Sequence, residues 1–447
     1  MTLTEQIIAT VETWQEQLRA QLDAANQPTL SMSTIEQAAL ALAQRLAQLA
    51  LTDQLQKAGT GYTSSSRPCD CGRHQRFERY SPKTVRTLIG EVTYRRAYYR
   101  CRHCCASACP LDEQLGQSER EISPGVERAV SLIAAHLPFP KAEQVLMEVT
   151  AVRLSARQIE TIAESVGAAA EECQQLEEAQ AATQGLVERR GPQPAAPRTF
   201  IIEMDGVQLG LQTGSWQEVK CGVVYELSQR VEVEGGRWEL LQRWRCALRG
   251  EVSEFRRRLW ALCQRAGLRA QDRVVVLGDG AEWIDQTVAW LFPRALRILD
   301  YYHASERIWA VANARWGEAT LAAQRWAQAK LSQLKRGRIR QVLAAMRGLK
   351  LSSQEGQRVR SGAINYLRAR QEQMRYGEYQ AAGLPIGSGA VESTCKQMVT
   401  ARCKQAGMRW SEAGADAMLA LRSFVLNDRL DELCPKPAVS LDWAKAA

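Results

Sequence analysis

The chain has 447 residues, too many for one compact core, so about three folded units are expected. Hydrophobic residues make up 45% and charged residues 24%, which excludes a wholly disordered or collagen-like protein. Lys and Arg number 58 against 49 Asp and Glu, a formal net charge of +9.

No uncharged apolar run reaches the ~20 residues that cross a bilayer; the nearest, Ala38–Leu51, contains Arg45. The start, MTLTEQIIATVE, carries Glu where a signal peptide is basic and has no small-residue cleavage site. A cytoplasmic protein without membrane partners is expected.

Residues 1–58 read as helical, with Ile35, Ala39, Leu42 and Leu46 at helical spacing. The stretch Gly59–Pro68 breaks this pattern. Residues 59–117 form a Cys-rich segment with two strand-like runs, Thr84–Ile89 and Val92–Arg100, joined at Gly90–Glu91 as a hairpin. Residues 118–184 return to helix. There AEQVLMEVTAVRLSARQIETIAESVG reads as helix, turn, helix, with Ser155 as cap and Gly167 as terminator. That is the outline of a helix-turn-helix, although any two-helix hairpin shares it. Residues 185–198 (GLVERRGPQPAAPR), with three Pro and two Gly, read as a linker.

Beyond the linker the pattern becomes mixed. Strands are expected at Thr199–Met204, Val219–Leu227 and Trp238–Leu248, then a helix at Glu251–Ala266, a strand at Arg273–Leu277, a helix at Ala281–Phe292 and a strand at Ala295–Leu299. A basic helical stretch follows at about 304–384, and the last clear helix runs from Gly389 to Lys404. This order predicts a multidomain α/β chain whose mixed sheet, within 199–430, carries a helical insertion. Residues 431–447 form a tail.

The charge is unevenly placed. Residues 321–380 hold thirteen basic and three acidic residues, a net +10, so the rest of the chain comes to −1. Such a stretch suits a phosphate-tracking surface, and a solvated helical face is the plainer alternative. Candidate DNA-contacting residues are Lys335, Arg336, Arg338, Arg340, Lys396, Arg409 and Trp410. Trp309, Trp316 and Trp326 lie in or beside the basic stretch, where aromatic faces could stack on unpaired bases.

Two strands end in an acid followed by Gly, at Asp205-Gly206 and Asp279-Gly280, and Glu392 stands in the first turn of the last helix. Strand-end acids collect where open α/β sheets bind ligands, and the Gly lets a metal or phosphate approach the backbone. Three carboxylates would suit two Mg²⁺ ions ~3.5–4 Å apart, the arrangement used in phosphoryl transfer. Each acid also has a dull explanation: Asp-Gly is a common turn, and Glu392 could pair with Lys396.

The order of these acids resembles that of the ribonuclease-H-like DDE transposases. Asp300-Tyr301-Tyr302-His303 is similar to the Asp/Cys-x-x-His signature of Mutator-like and related transposases. More narrowly, MDGV, GDGAEWI, LDYYHASERIW and IGSGAVEST resemble segments of the Kra-type bacterial insertion-sequence transposases over roughly 199–430. The resemblance implies a ribonuclease-H-like fold and a catalytic triad of Asp205, Asp279 and Glu392 holding two Mg²⁺ (or Mn²⁺) ions. Asp300 and His303 would be supporting residues. The implied activity is metal-dependent cleavage and strand transfer of double-stranded DNA, at transposon ends and target, by a homodimer or higher assembly.

Thirteen Cys without an export signal argue for metal ligands and buried thiols over disulfides. Cys69 and Cys71 with Cys101 and Cys104 suit a structural Zn²⁺ site of zinc-ribbon type. The first pair is Cys-x-Cys instead of Cys-x-x-Cys, so Cys105, Cys109, His74 and His103 remain alternative ligands. No Ser-His-Asp set or phosphate-binding GxxxxGK[ST] loop is present. Two competing readings remain, a catalytically inactive transposase-derived DNA-binding protein and a ribonuclease-H-like structure-specific nuclease. The first would be indifferent to Asp279→Asn; the second would cleave branched DNA without preference for particular ends.

Overall fold

The structure, a computed structural model, describes residues 2–24, 31–118, 120–184, 197–234 and 237–436. The chain divides into two compact units, Met1–Ala163 with Leu430–Ala447, and Glu164–Arg429. The expected linker lies outside the described residues over 185–196, as does the tail over 437–447.

The first unit begins with helices α1 (Leu3–Ala24) and α2 (Met32–Lys57). The Ser31 hydroxyl caps α2 by accepting the Thr34 N–H at 3.2 Å. An antiparallel sheet follows in the order β1 (Ser66–Pro68), β2 (His74–Thr87), β3 (Gly90–Cys101), β4 (Ser107–Ala108). The hairpin turns at Leu88–Ile89, since Thr87 pairs with Gly90, and β2 starts ten residues before the expected Thr84. The polar, Pro-containing run before Thr84 hides this strand, because Pro82 belongs where no partner needs its N–H. Helix α3 (Pro110–Gln114) places Asp112 in the core, where Tyr94 Oη donates to it at 2.8 Å and Lys83 Nζ at 3.2 Å, with Arg96 alongside.

Helices α4 (Pro124–His136), α5 (Phe139–Val149) and α6 (Ala156–Gln184) follow. Ser155 caps α6 as expected, its hydroxyl accepting from the Gln158 N–H at 3.3 Å while Gln158 Oε1 accepts from the Ser155 N–H at 3.0 Å. Gly167 does not end that helix, which runs on for seventeen residues to Gln184. A Cβ at Gly167 would strike the carbonyl of Ala417, so glycine permits close helix packing there and is not a terminator.

The second unit is built on a mixed five-stranded sheet, order β11-β10-β5-β6-β9. Strands β5 (Thr199–Gly210) and β6 (Trp216–Glu226) pair antiparallel, and β7 (Arg230–Val233) with β8 (Arg237–Leu240) forms a separate two-stranded hairpin. Strand β9 (Trp244–Arg249) rejoins the main sheet, so the single strand expected over Trp238–Leu248 is two. Helix α7 (Val252–Arg265), strand β10 (Arg273–Gly278), helix α8 (Glu282–Leu291) and strand β11 (Leu296–Leu299) complete the sheet, with β10 parallel to β5 and to β11.

Alternation along β5 sorts its side chains by face. Phe200, Ile202 and Met204 join Val224, Phe255, Leu259 and Ile284 in the core with α7 and α8. Glu203 and Asp205 therefore share the opposite face. The insertion is helical: α9 (Tyr301–Trp316), α10 (Leu321–Lys335), α11 (Ile339–Gly348), α12 (Gln354–Ala369) and α13 (Tyr376–Ala381). After it come α14 (Gly389–Cys395), a π turn at Lys396–Thr400, α15 (Ala401–Cys403) and α16 (Glu412–Leu426). Helix α17 (Leu430–Leu433) belongs to the first unit. Among the described residues no helix is long and apolar enough to cross a membrane.

Candidate functional site

Strands β5 and β10 run parallel with Glu203 opposite Leu277. Two residues further, the same register carries Asp205 alongside Asp279, which follows the end of β10; β5 itself runs on to Gly210, so the strand end expected at Met204 is corrected and Asp205 lies within the strand. Gly280 follows with φ +79°, and a Cβ there would strike Arg370, so only glycine fits that turn. Asp279 Oδ1 accepts the Ala281 N–H at 2.8 Å, and Tyr366 Oη donates to the Asp279 carbonyl.

Helix α14 lies over the same face of β5. The Val391 N–H donates to Glu203 Oε2 at 2.9 Å, and Cys395 Sγ stands 3.8 Å from Asp205 Oδ2. Glu392, exposed, sits between these two anchor points. Burial pushes the Asp205 carboxyl above its ordinary range; the Gly206 N–H and His303 draw it back, while Asp279 and Glu392 push it further up. Asp279, Glu392 and His303 thus act on Asp205 in one electrostatic neighbourhood. The three carboxylates nevertheless stand wider apart than a single-ion cage, since among the described residues only the thiols described below bring three or more ligand atoms within 4.8 Å of one another.

Asp300 serves a different purpose. It is fully buried and caps α9, accepting the Tyr302 N–H at 2.6 Å. It also accepts the Ser388 N–H at 3.1 Å and the Ser388 hydroxyl, tying the start of α9 to the turn that precedes α14. His303, in the first turn of α9, lies 3.4 Å from Glu306 through Nδ1.

Glu203 is the residue the sequence reading missed. It is 1% exposed, accepts from Tyr225 Oη at 2.8 Å and anchors α14 through Val391. Burial raises its carboxyl to about 7 against the pull of those two donors. The available signal was a lone acid inside the apolar run FIIEM, since a carboxylate there must find partners.

In the first unit, Cys69, Cys71, Cys101 and Cys104 gather their sulfurs within 4.8 Å of one another, Cys69–Cys104 at 3.5 Å and Cys71–Cys101 at 3.7 Å. Four thiolates at ~2.3 Å from a tetrahedral ion would stand ~3.8 Å apart, so this set can hold a metal such as zinc. The Cys-x-Cys pair closes through Gly72 at φ +80°, whose N–H donates to the Cys69 carbonyl at 2.9 Å. Backbone N–H groups of Cys104 and His103 point at the Cys101 sulfur and lower its thiol to about 6, favouring the thiolate that binds metal. Cys105, Cys109, His74 and His103 are not in the cluster. Cys221, Cys246, Cys263, Cys395, Cys403 and Cys434 are buried free thiols and Cys173 is half-buried.

Lys335, Arg336, Arg338, Arg340, Lys396 and Arg409 are exposed. Trp410 is not: it is 5% exposed, its indole N–H donates to the Cys403 carbonyl at 2.9 Å, and Arg402 lies over its ring. The expectation that Trp410 contacts DNA is corrected, because a ring enclosed in this way has no free face for a base. Trp216 presents the surface that Trp410 lacks, 52% exposed with Arg409 and Lys404 at 5.0 and 5.7 Å from its ring centre. Trp309, Trp316 and Trp326 are half-buried, the last two packed together at 5.7 Å.

A second basic surface escaped the charge reading. Residues 67–102 hold ten basic and three acidic residues, a net +7 that acidic stretches elsewhere offset in the sum. Exposed Arg76 and Arg100 sit directly opposite each other on β2 and β3, and among the described residues neither has an acidic partner.

Fold and site together define a mixed α/β protein with a four-Cys cluster that can hold a metal in one unit and a set of neighbouring carboxylates in the other. Residues 29–431 match the model of an uncharacterised protein family, UPF0236, and the chain belongs to that family. No curated protein matches it.

Proposed function

We propose that the chain is the DDE transposase of an insertion sequence, with a ribonuclease-H-like catalytic unit that cuts and rejoins double-stranded DNA. The observation that carries this reading is the shared electrostatic neighbourhood of Asp205, Asp279 and Glu392 on adjacent strands and the helix above them. Mutually repelling carboxylates on neighbouring elements are the donor set that a pair of hard divalent cations neutralises. Asp205, Asp279 and Glu392 would hold Mg²⁺ or Mn²⁺, which supplies charge stabilisation for the attacking and leaving oxygens of phosphoryl transfer.

The chain's own groups do the positioning. Asp300 holds the turn before α14 through Ser388 and Glu203 holds the first turn of that helix through Val391, and together they would bring Glu392 over Asp205. Tyr366 and Arg370 hold the Asp279–Gly280 turn from the insertion, Arg370 Nη2 donating to the Gly280 carbonyl at 2.6 Å. The exposed cations of α10 and α11 and the arginines of the zinc-type hairpin offer phosphate contacts on the two units. The exposed start of α6, with Arg157 and Gln158, is the element of the first unit suited to reading a groove. Two element ends require at least two copies of the chain on DNA.

Incubation with a DNA fragment carrying the sequences that border its own coding region, with Mg²⁺, tests the reading. Cleavage at those borders followed by joining of the released 3′-OH to a second DNA supports it. Cleavage of branched DNA with equal ease and no joining would make the protein a nuclease.

A further inference from the structure

The turns that present His303 and Glu392 to Asp205 present their chain neighbours, Tyr302 and Ser393, to a separate recess of about 670 Å³. Its walls include Arg230 and Trp238 of the β7–β8 hairpin, Arg243 after it, Tyr302 of α9 and Lys335 at the end of α10. Trp238 and Tyr302 are 49% and 64% exposed, rings that the fold leaves in water. The Arg230 guanidinium lies 3.8 Å from the Trp238 ring centre, and burial lowers its pKa. Tyr302 rests on Gly387, where a Cβ would come within 2.9 Å of its ring and move it.

We infer that this recess binds one unpaired nucleotide of a DNA strand, its base stacked on Trp238 and Tyr302 and its phosphate facing Arg230, Arg243 and Lys335. The inference deepens the transposase reading and rests on it for DNA as the ligand. The volume fits a single nucleotide. Exposed aromatic faces flanked by cations hold single strands with little sequence preference. Of the two acids in the wall, Glu203 is spoken for by Tyr225 and Val391, which leaves Glu239 as the one opposing side chain against three cations. The two chain adjacencies place the recess next to the carboxylates, so a strand entering the cleavage site has a nucleotide to deposit there. The hairpin that supplies Trp238 stands outside the main sheet and serves no strand pairing in it.

The test uses the full chain without added divalent cation and two probes, a blunt duplex and the same duplex with a short overhang bearing 2-aminopurine. The overhang should bind more tightly than the blunt duplex, with a change in 2-aminopurine fluorescence. Trp238→Ala should weaken the overhang by about tenfold and leave the blunt duplex unchanged, while Trp238→Phe should restore most of the loss. Equal affinity of Trp238→Ala and Tyr302→Ala for the overhang, within about twofold of the parent, would overturn the inference. So would an equal loss on both probes, which would mark a general surface contact. This readout involves no chemistry, so a protein that stacks the overhang but never cleaves DNA would separate failure of the transposase reading from failure of the recess.

Discussion

Glu203 and Val391 are joined by a hydrogen bond of 2.9 Å from a strand to the helix above it, 188 residues later in the chain. Because Glu203 and Asp205 share one face of β5, this bond and the Cys395–Asp205 contact lay α14 along the strand with Glu392 between them. A buried acid that touches no reacting group thus determines where the third carboxylate stands.

Glu203→Ala leaves the Tyr225 hydroxyl and the Val391 N–H without a partner, at about 1–3 kcal/mol each. Urea denaturation should report that loss, and metal-dependent DNA cleavage should fall with it while DNA binding persists. The carboxyl is held at about 7 in the fold against roughly 4.3 in an unfolded chain. The folded state therefore keeps its proton longer, and stability is full below the unfolded value and declines as pH rises from about 4.3 to about 7. Glu203→Gln should remove that slope, read as denaturation midpoints across the window.

Asp300 stands in the same relation to Ser388 and Tyr302. Asp300→Ala removes a helix cap and strands a buried N–H, and should destabilise the protein by more than about 2 kcal/mol. Ser388→Ala, which removes only the hydroxyl donor, should cost less. Both are measurable by urea denaturation, and equal midpoints for Asp300→Ala and the parent would refute a positioning role.

The four-Cys cluster predicts one zinc per chain by metal analysis. Cys71→Ser and Cys104→Ser should lose it, and Cys105→Ser and Cys109→Ser should keep it. The hairpin between the two Cys pairs should become protease-sensitive in the first two variants, because bound metal contributes folding energy directly.

Much of this architecture was legible in residue order. The strand ending at Asp279-Gly280, the alternation of strand and helix after Arg249 and the Cys spacing all predicted elements that the structure contains, whereas Asp205-Gly206 lies inside β5, which runs on to Gly210. What escaped had physical causes. The break between β8 and β9 falls at Leu241-Gln242-Arg243, which holds neither Gly nor Pro, so nothing local announces it. Gly167 reads as a helix stop because the reason for it, the Ala417 carbonyl, is 250 residues away in sequence. Trp410 stands beside Arg409 as an aromatic–cation pair would on a surface, and only the tertiary fold turns the ring inward.

Arg76 and Arg100 face each other across β2 and β3, where like charges oppose pairing. Replacing both with Ala should leave stability unchanged or raised, weaken DNA binding about equally for different sequences, and reduce the salt dependence by about two phosphate contacts. Binding isotherms over a range of salt concentrations measure this. An unaltered salt slope would place the DNA elsewhere.

We propose that Asp205, Asp279 and Glu392 form one metal-dependent active site. Its most direct test is cleavage of a DNA fragment bearing the borders of the coding region, with Mn²⁺, by the parent chain and by Asp205→Asn, Asp279→Asn and Glu392→Gln. Cleavage by the parent, loss of it in all three variants, and unchanged DNA affinity in each are expected. Cleavage by Asp279→Asn at the parent's rate would contradict it.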